Sequence, residues 1–312
     1  MNEVTSPKKN MRLVVTGGAG FIGTHLTQLL VSEGHEVHVV DTLVGTIKRG
    51  IHPSATLHII DVRDQEKLTA LFKSLPHIDG VFHAAALPSV PFSIENPLVS
   101  HDVNVNGTLS VLAAAHAHGV GRVIFSSSSA VYGDTNVIPS NEETSLSPQS
   151  PYALHKYIGE QYCALYSALY ALPTVVLRYY NVYGLGADPN GPYASAIGKF
   201  IQMQQNGQPI TITGDGEQTR DMVHVRDVAR ANLVALTHPH LGNAEIFNVG
   251  TGTQTSINEI AHIIGGPTLH IPARHEPRHS CADITRIQAL GWHPSVKLHE
   301  GIHELKAETH LQ

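Results

Sequence analysis

The sequence is poor in the features that mark specialised environments. Its 312 residues include two cysteines, Cys163 and Cys281. They could form at most one bridge, so a disulfide scaffold is excluded and free thiols in a reducing compartment are expected. No uninterrupted apolar run approaches the roughly 20 residues that a bilayer-spanning helix needs. The first ten residues, MNEVTSPKKN, carry no apolar h-region, so the expected location is the cytoplasm. Asn106-Gly107-Thr108 spells a glycosylation acceptor, which without secretion is a chance match. Charge is sparse as well, at 15% of residues with a net −6 and no basic block. That argues against nucleic acid or an anionic membrane as partner. What is present is ordinary globular composition, 42% apolar, with room for a large core and one or two closely packed domains. The 22 histidines are scattered through both halves, and most are expected at the surface, where they make net charge sensitive to mild acid.

Short apolar runs alternate with helical patterns through the first 180 residues. RLVVT (12–16), EVHVVD (36–41), TLHIID (56–61), GVFHAA (80–85), VIF (123–125) and TVVLRYY (174–180) read as strands. Helical stretches begin at FIGTHLTQLLVSEG, near 63–75 and 97–119, and at YALHKYIGEQYCALYSALYA. This alternation predicts an α/β fold, a Rossmann-type doubly wound parallel sheet with helices on both faces. Beyond 181 the chain is richer in Gly and Pro, with helices near 193–206 and 226–237 and a capping-box start at SINE (256–259). The expected division is a dinucleotide-binding domain over 1–180, with returning segments near 221–240, and a smaller C-terminal substrate lobe over 181–312. No internal repeat or long linker is visible.

TGGAGFIG sets Gly17, Gly20 and Gly23 between the first strand and the first helix. A turn without Cβ atoms lets backbone amides approach a pyrophosphate at a helix N-terminus, and the last glycine lets helix pack on strand. Asp41 ends the second strand, where a carboxylate can accept bonds from ribose hydroxyls and would repel a 2′-phosphate. NAD is therefore expected over NADP.

Four serines follow VIF, in the stretch VIFSSSSAVYG. Serine runs are usually flexible loops, but a strand's carboxyl end is where open α/β sheets bind ligands. Tyr152 and Lys156, at i and i+4 in YALHK, share one helix face. A phenol near pKa 10 is a poor base at neutral pH. A neighbouring ammonium and the positive nicotinamide of NAD would favour the phenolate.

With these motifs assembled, the sequence resembles the extended short-chain dehydrogenase/reductases, and among them the NAD-dependent nucleotide-sugar epimerases. The resemblance covers nearly the whole chain: TGGAGFIG, DVRD (61–64), HAAALPSV (83–90), NVNGT (104–108), SSSSAVYGD, SPYALHK, LRYYNVYG (177–184), DPNGPYA (188–194) and GDGEQTRDMVHVRDVA (214–229). It implies a catalytic triad of Ser128, Tyr152 and Lys156. Cofactor contacts are implied at Gly17, Gly20, Phe21, Ile22, Gly23, Asp41, Asp61, Val62, Ala84, Ala85, Asn104, Tyr152 and Lys156. Substrate contacts are implied at Ser89, Ser128, Asn181, Arg220, Arg274 and Ser280, with Asn181, Arg220 and Arg274 on the nucleotide diphosphate. No metal is implied. The family further suggests a homodimer joined through the 97–119 and 152–171 helices.

Ala130 discriminates among the family's reactions. The 4,6-dehydratases and decarboxylating members carry an acid immediately before Val-Tyr-Gly, whereas this chain has a methyl. What remains is hydride and hydroxyl-proton transfer, the chemistry of 4-epimerisation on a UDP-sugar. LPSVPFSIENP, with Pro88 where glucose-type epimerases tend to have lysine, resembles the subgroup acting on N-acetylhexosamines, as does RHSCAD (278–283). A small residue at Ser280 would admit an N-acetyl group and exclude little else, so plain hexoses remain possible substrates. The segment ARHEP is about one residue shorter than the family's Arg-x-Gly-Asp-x pattern, which leaves Arg274 the weaker assignment. Two other readings stay open: a dehydratase, decarboxylase or reductase of a related sugar nucleotide, and a non-catalytic dinucleotide sensor.

Several features read as decoys. His299-Glu300-Gly301-Ile302-His303 matches the two-histidine zinc motif, but has Gly301 inside the helix and no third ligand in view. His275 and His279 flank the proposed gate. Glu142 and Glu143 sit in a Ser/Pro-rich loop and are expected to be solvated. Tyr162, Tyr166 and Tyr170, at helical spacing, read as packing or a subunit face.

Overall fold

A computed structural model describes residues 10–44, 50–187, 196–273 and 277–309. The first half alternates as expected: β1 (Arg12–Thr16), α1 (Phe21–Ser32), β2 (Glu36–Asp41), β3 (Thr56–Ile59), α2 (Gln65–Ser74) and β4 (Gly80–His83). Then come α3 (Val90–Glu95), α4 (Pro97–His101), α5 (Gly107–Ala117), β5 (Val123–Ser128), α6 (Pro151–Tyr170) and β6 (Thr174–Tyr179). Where one helix was expected over 97–119, α4 and α5 are separated by a wide π-helical turn over residues 102–106. The turn places Asn104 inward, and its amide bonds both backbone groups of Leu87, accepting from the N–H at 2.7 Å and donating to the carbonyl at 3.1 Å.

The C-terminal portion carries β7 (Asn181–Tyr183), α7 (Ala196–Gln205), β8 (Ile210–Thr213), β9 (Thr219–Arg220), β10 (Met222–His224), α8 (Val225–Thr237) and β11 (Asn243–Val249). It finishes with β12 (Thr255–Ser256), α9 (Ile257–Ile264), β13 (Thr268–Ile271), α10 (Thr285–Gln288) and α11 (Leu298–Thr309). The sequence pattern did not single out β11, which closes the edge of the main sheet by pairing in parallel with β6. The full order is β11-β6-β5-β4-β1-β2-β3, every pair parallel. The order reverses between β1 and β4, the point where such sheets bind ligands.

Parallel strands covered on both faces need apolar side chains on both. Leu13 and Val15 pack with Leu26 and Leu30 of α1 and with Val228 and Ala231 of α8. Val14 faces the other way, with Leu68 and Phe72 of α2, Val111 and Leu112 of α5, and Cys163 of α6. A third core unites α7, α9 and α11 through Ile197, Phe200, Ile257, Ile260 and Ile302. The SINE cap forms as expected, Ser256 Oγ accepting from Glu259 N at 3.0 Å.

Candidate active site

The glycine turn lies at the sheet's reversal point. Gly17 has φ +69°, in the left-handed region, and a Cβ added there would come within 2.6 Å of Ala85 N. A Cβ on Gly23 would come 2.0 Å from the Gly17 carbonyl oxygen. The absence of side chains is thus imposed by close backbone approach, between strand ends at Gly17 and between turn and helix at Gly23. Gly20 caps α1 without a side-chain hydrogen bond, so the first amides of the helix stay open to an anion. Phe21 and Ile22 are the first residues of α1. Asp41 braces the same turn, accepting from Ala19 N at 3.0 Å and Leu43 N at 2.8 Å. Ala84 and Ala85 follow β4, with Ala84 N donating to the Thr16 carbonyl at 3.1 Å. This cradle fits a dinucleotide pyrophosphate.

Asp61, Val62 and Ser89, expected from the resemblance to contact cofactor or substrate, are engaged within the fold. Asp61 pairs with Arg63 at 2.6 Å, and Arg63 reaches on to Asp102 at 2.8 Å. Arg63 holds the Asp61 carboxyl below its usual range. Val62 is buried against α5, where a Cβ on Gly107 would touch its Cγ2 at 2.7 Å. Ser89 is buried and caps α3, accepting from Phe92 N at 3.1 Å.

Three of the four serines lie in a strand. β5 runs through Ser128, three residues further than expected, and Ser129–Tyr132 then form a short helical turn. Ser126 and Ser127 point into buried surroundings, whereas Ser128 is half-buried at the carboxyl edge. Ser128 Oγ accepts from Ala130 N at 3.2 Å, and its hydroxyl lies near enough to the Tyr152 phenol to favour the phenolate. Tyr152 is held from the other side by Ser93, whose Oγ accepts from Tyr152 N at 3.1 Å. Lys156, one turn further along α6, donates from Nζ to the Ser126 carbonyl at 2.7 Å and lies 5.9 Å from the Tyr152 ring centre. Strand end and helix therefore bring Ser128, Tyr152 and Lys156 into one cluster.

Burial dominates the electrostatics of this cluster. Burial pushes the Tyr152 phenol up to about 12, and the Ser128 hydroxyl is the influence opposing it. The Lys156 ammonium is turned toward the Ser126 carbonyl, 5.9 Å from the Tyr152 ring centre. Burial pushes Lys156 down to about 8, against the pull of the Glu160 carboxylate.

A second cluster gathers on the C-terminal segments. Asn181 Nδ2 donates to the Asp221 carbonyl at 3.1 Å and lies 3.4 Å from Ser280 Oγ. Ser280 N donates to the Thr219 carbonyl at 3.1 Å, beside which Arg220 donates from Nη1 at 2.8 Å. Beneath them Asp221 is fully buried, its carboxylate accepting from Thr251 N, Gly252 N and Ala282 N. Asn181, Arg220 and Ser280 thus converge on one edge. Arg274, His275 and the DPNGPYA segment lie outside the described residues.

The chain's residues 13–250 match the model of the NAD dependent epimerase/dehydratase family. The chain belongs to that family. NAD is its cofactor. A putative UDP-glucose 4-epimerase of Methanocaldococcus jannaschii is 40% identical, over 93% of this chain and 95% of the relative. The UDP-glucose 4-epimerase of Thermotoga maritima, solved with UDP-glucose, is 35% identical with a TM-score of 0.91, covering 97% of this chain and 100% of that one. The UDP-N-acetylglucosamine 4-epimerase of Methanobrevibacter ruminantium, solved with UDP-N-acetylmuramic acid, is 34% identical with a TM-score of 0.89, covering 96% and 99%.

Sequence reasoning missed one buried polar group beside this epimerase/dehydratase-family site and misjudged the surroundings of Glu142. His83 lies under the glycine turn, its ring nitrogens 2.7 Å from Thr16 Oγ1 and 2.9 Å from Thr108 Oγ1. Burial holds it neutral, with a pKa of about 3. Glu142 is not simply solvated: it is half-buried and accepts from Asn248 N at 2.7 Å. The H-E-x-x-H histidines are exposed on α11, while Gly301 between them faces Tyr183, whose hydroxyl a Cβ would meet at 2.4 Å. Gly301 is there for packing.

Proposed function

We propose that this chain is a 4-epimerase of UDP-hexoses that interconverts UDP-N-acetylglucosamine and UDP-N-acetylgalactosamine, and also accepts the UDP-glucose/UDP-galactose pair. The observation that carries the reaction type is Ala130, which donates its backbone N–H to Ser128 and offers the sugar only a methyl group. The family's description spans dehydratases as well as epimerases. Dehydration and decarboxylation need an acid at this place, and a methyl cannot move a proton.

Bound NAD supplies a reversible hydride acceptor and, when oxidised, a positive charge beside the phenol. Tyr152 takes the proton of the sugar's 4-hydroxyl and later returns it. Ser128 hydrogen-bonds the same oxygen as it becomes a carbonyl, held ready by Ala130 N and Tyr152. Lys156 presents a cation at the cofactor ribose, its remaining protons directed by the bond to the Ser126 carbonyl. The turn of Gly17, Gly20 and Gly23 and the first amides of α1 hold the pyrophosphate, and Asp41 the adenosine ribose. Asn181 and Arg220 grip the UDP diphosphate, which keeps the 4-keto sugar from escaping while it turns over. Asn104 and Ser89 serve this site indirectly, by fixing the Leu87 backbone and the start of α3.

Acceptance of an N-acetyl group rests on Ser280, a small side chain beside Asn181. The similarity to the M. ruminantium UDP-N-acetylglucosamine 4-epimerase supports that reading. Offering the purified protein all four UDP-sugars and following products by NMR tests it; turnover confined to the plain hexoses removes the N-acetyl assignment.

A further inference from the structure

Directly beneath the serine strand end lies a buried ion pair. Glu160 and Arg178 are each about 2% exposed. Arg178 donates to both carboxylate oxygens, from Nη2 at 2.6 Å and from Nε at 2.9 Å. Ser127 Oγ donates to the same carboxylate at 2.5 Å. The remaining guanidinium donor reaches Tyr132 OH at 2.9 Å and the Glu142 carbonyl at 3.3 Å. Tyr132 in turn donates to Asn248 Oδ1 at 2.7 Å on β11.

A pair so deeply buried is a weak source of stability, since an apolar pair of similar volume is often as good. Its placement suggests another role. Glu160 lies one helical turn beyond Lys156 on α6, on the same face. Ser127 precedes Ser128 in β5, and Tyr132 closes the turn that carries Ala130. The pair therefore touches, through one side chain each, the strand end, the turn and the helix that hold the proposed catalytic groups.

We infer that Glu160, held by Arg178, is a positioning residue that fixes the Ser128 strand end and keeps Lys156 a cation. The inference rests on the epimerase reading of the site. Lys156 is faced on its own helix by Tyr152, His155, Glu160 and Cys163. β5 presents the Phe125 ring and the Ser126 carbonyl, β4 presents His83, and β6 presents Arg178 behind Glu160. Glu160 is the one carboxylate in this set. His83 and His155 are neutral near neutral pH, and the Cys163 thiol is held protonated by burial. Removing Glu160 charge alone leaves Arg178 unpaired, so Lys156 loses its anion and gains the influence of a cation.

The test uses the full NAD-bound protein labelled with ε-13C-lysine, the Lys156 resonance being assigned by its loss in Lys156→Met. In Glu160→Gln the Lys156 titration midpoint is expected to fall by about one pH unit, the direction nearby charge dictates. The alkaline limb of kcat should fall with it, giving a loss that approaches about tenfold above the wild-type midpoint, while KM changes little. Glu160→Asp should restore part of the shift. The double variant Glu160→Gln/Arg178→Met leaves no unpaired buried charge and covers the case in which Glu160→Gln does not fold. Its midpoint should lie below that of the wild type and above that of Glu160→Gln. Variants that change melting temperature but leave both midpoint and kcat limb in place would overturn the inference. An inactive wild-type protein with the expected lysine shifts would instead count against the epimerase reading alone.

Discussion

At the scale of single residues, the most informative positions are those with little chemistry. Ala130 and Ser280 define the proposed reaction by what they leave out, an acid in one case and bulk in the other. Both were legible in the sequence because each sits in a short motif with a fixed neighbour. The protonation state of Tyr152 was not legible. Spacing alone put Lys156 on the same helix face, but it could not show the ammonium turned to the Ser126 carbonyl or the phenol raised to about 12 by burial. Glu160 and Arg178 were likewise visible only as an i+4 carboxylate and a charge in an apolar strand. Ser280 gives the prediction at this scale. Ser280→Tyr should reduce kcat/KM for UDP-N-acetyl sugars by about a hundredfold, the loss of roughly 3 kcal/mol, and leave plain hexoses within a few-fold. Equal loss on both classes, measured by coupled assay or NMR, would show that Ser280 does not face the C2 substituent.

Among elements, the glycine turn was the easiest to read, since its glycines mark close backbone approach in any sequence. The boundaries of β5 and of the 97–119 helix were harder. Serines have no apolar periodicity, so the strand was expected to end at VIF with the serines at its carboxyl end; pairing of Ser126 through Ser128 with β6 extends it. β11 escaped notice because Asn243–Val249, NAEIFNV, begins with polar and half-exposed residues at a sheet edge. Gly23→Ala should test the turn: its Cβ would press within 2.0 Å of the Gly17 carbonyl oxygen. The expected result is at least a tenfold weaker NAD affinity by calorimetry, with a melting temperature lowered by an overpacking cost of about 1–3 kcal/mol. Unchanged NAD affinity would mean that this turn does not hold the pyrophosphate.

For the whole molecule, two properties follow from where side chains are buried. Most of the described histidines reach the surface, as expected, but His35, His38, His83, His155 and His224 are buried. Burial lowers His83 to about 3 and His155 and His224 to about 4, below the unfolded value of about 6.5. The unfolded chain then binds more protons between these values. The stability these neutral histidines contribute is complete above about pH 6.5 and is lost as pH falls toward 4. The melting temperature should drop steadily across that window, and His224→Gln should flatten the slope if it folds. An unchanged melting temperature between pH 6.5 and 4.5 would show these histidines to be accessible. We also propose that the chain forms a homodimer through α4 and α6, which expose Leu98 (85%), Leu165 (49%) and Leu169 (68%) on one flank of the sheet. Light scattering should give twice the chain mass, and Leu98→Glu/Leu169→Glu should halve it; a monomeric wild type would refute the dimer. The reaction itself is tested most directly by incubating the protein with catalytic NAD and UDP-N-acetylglucosamine, following products by proton NMR and NADH by absorbance. UDP-N-acetylgalactosamine should accumulate to equilibrium with no net NADH. A 6-deoxy-4-keto product, or NADH rising in step with substrate loss, would contradict 4-epimerisation.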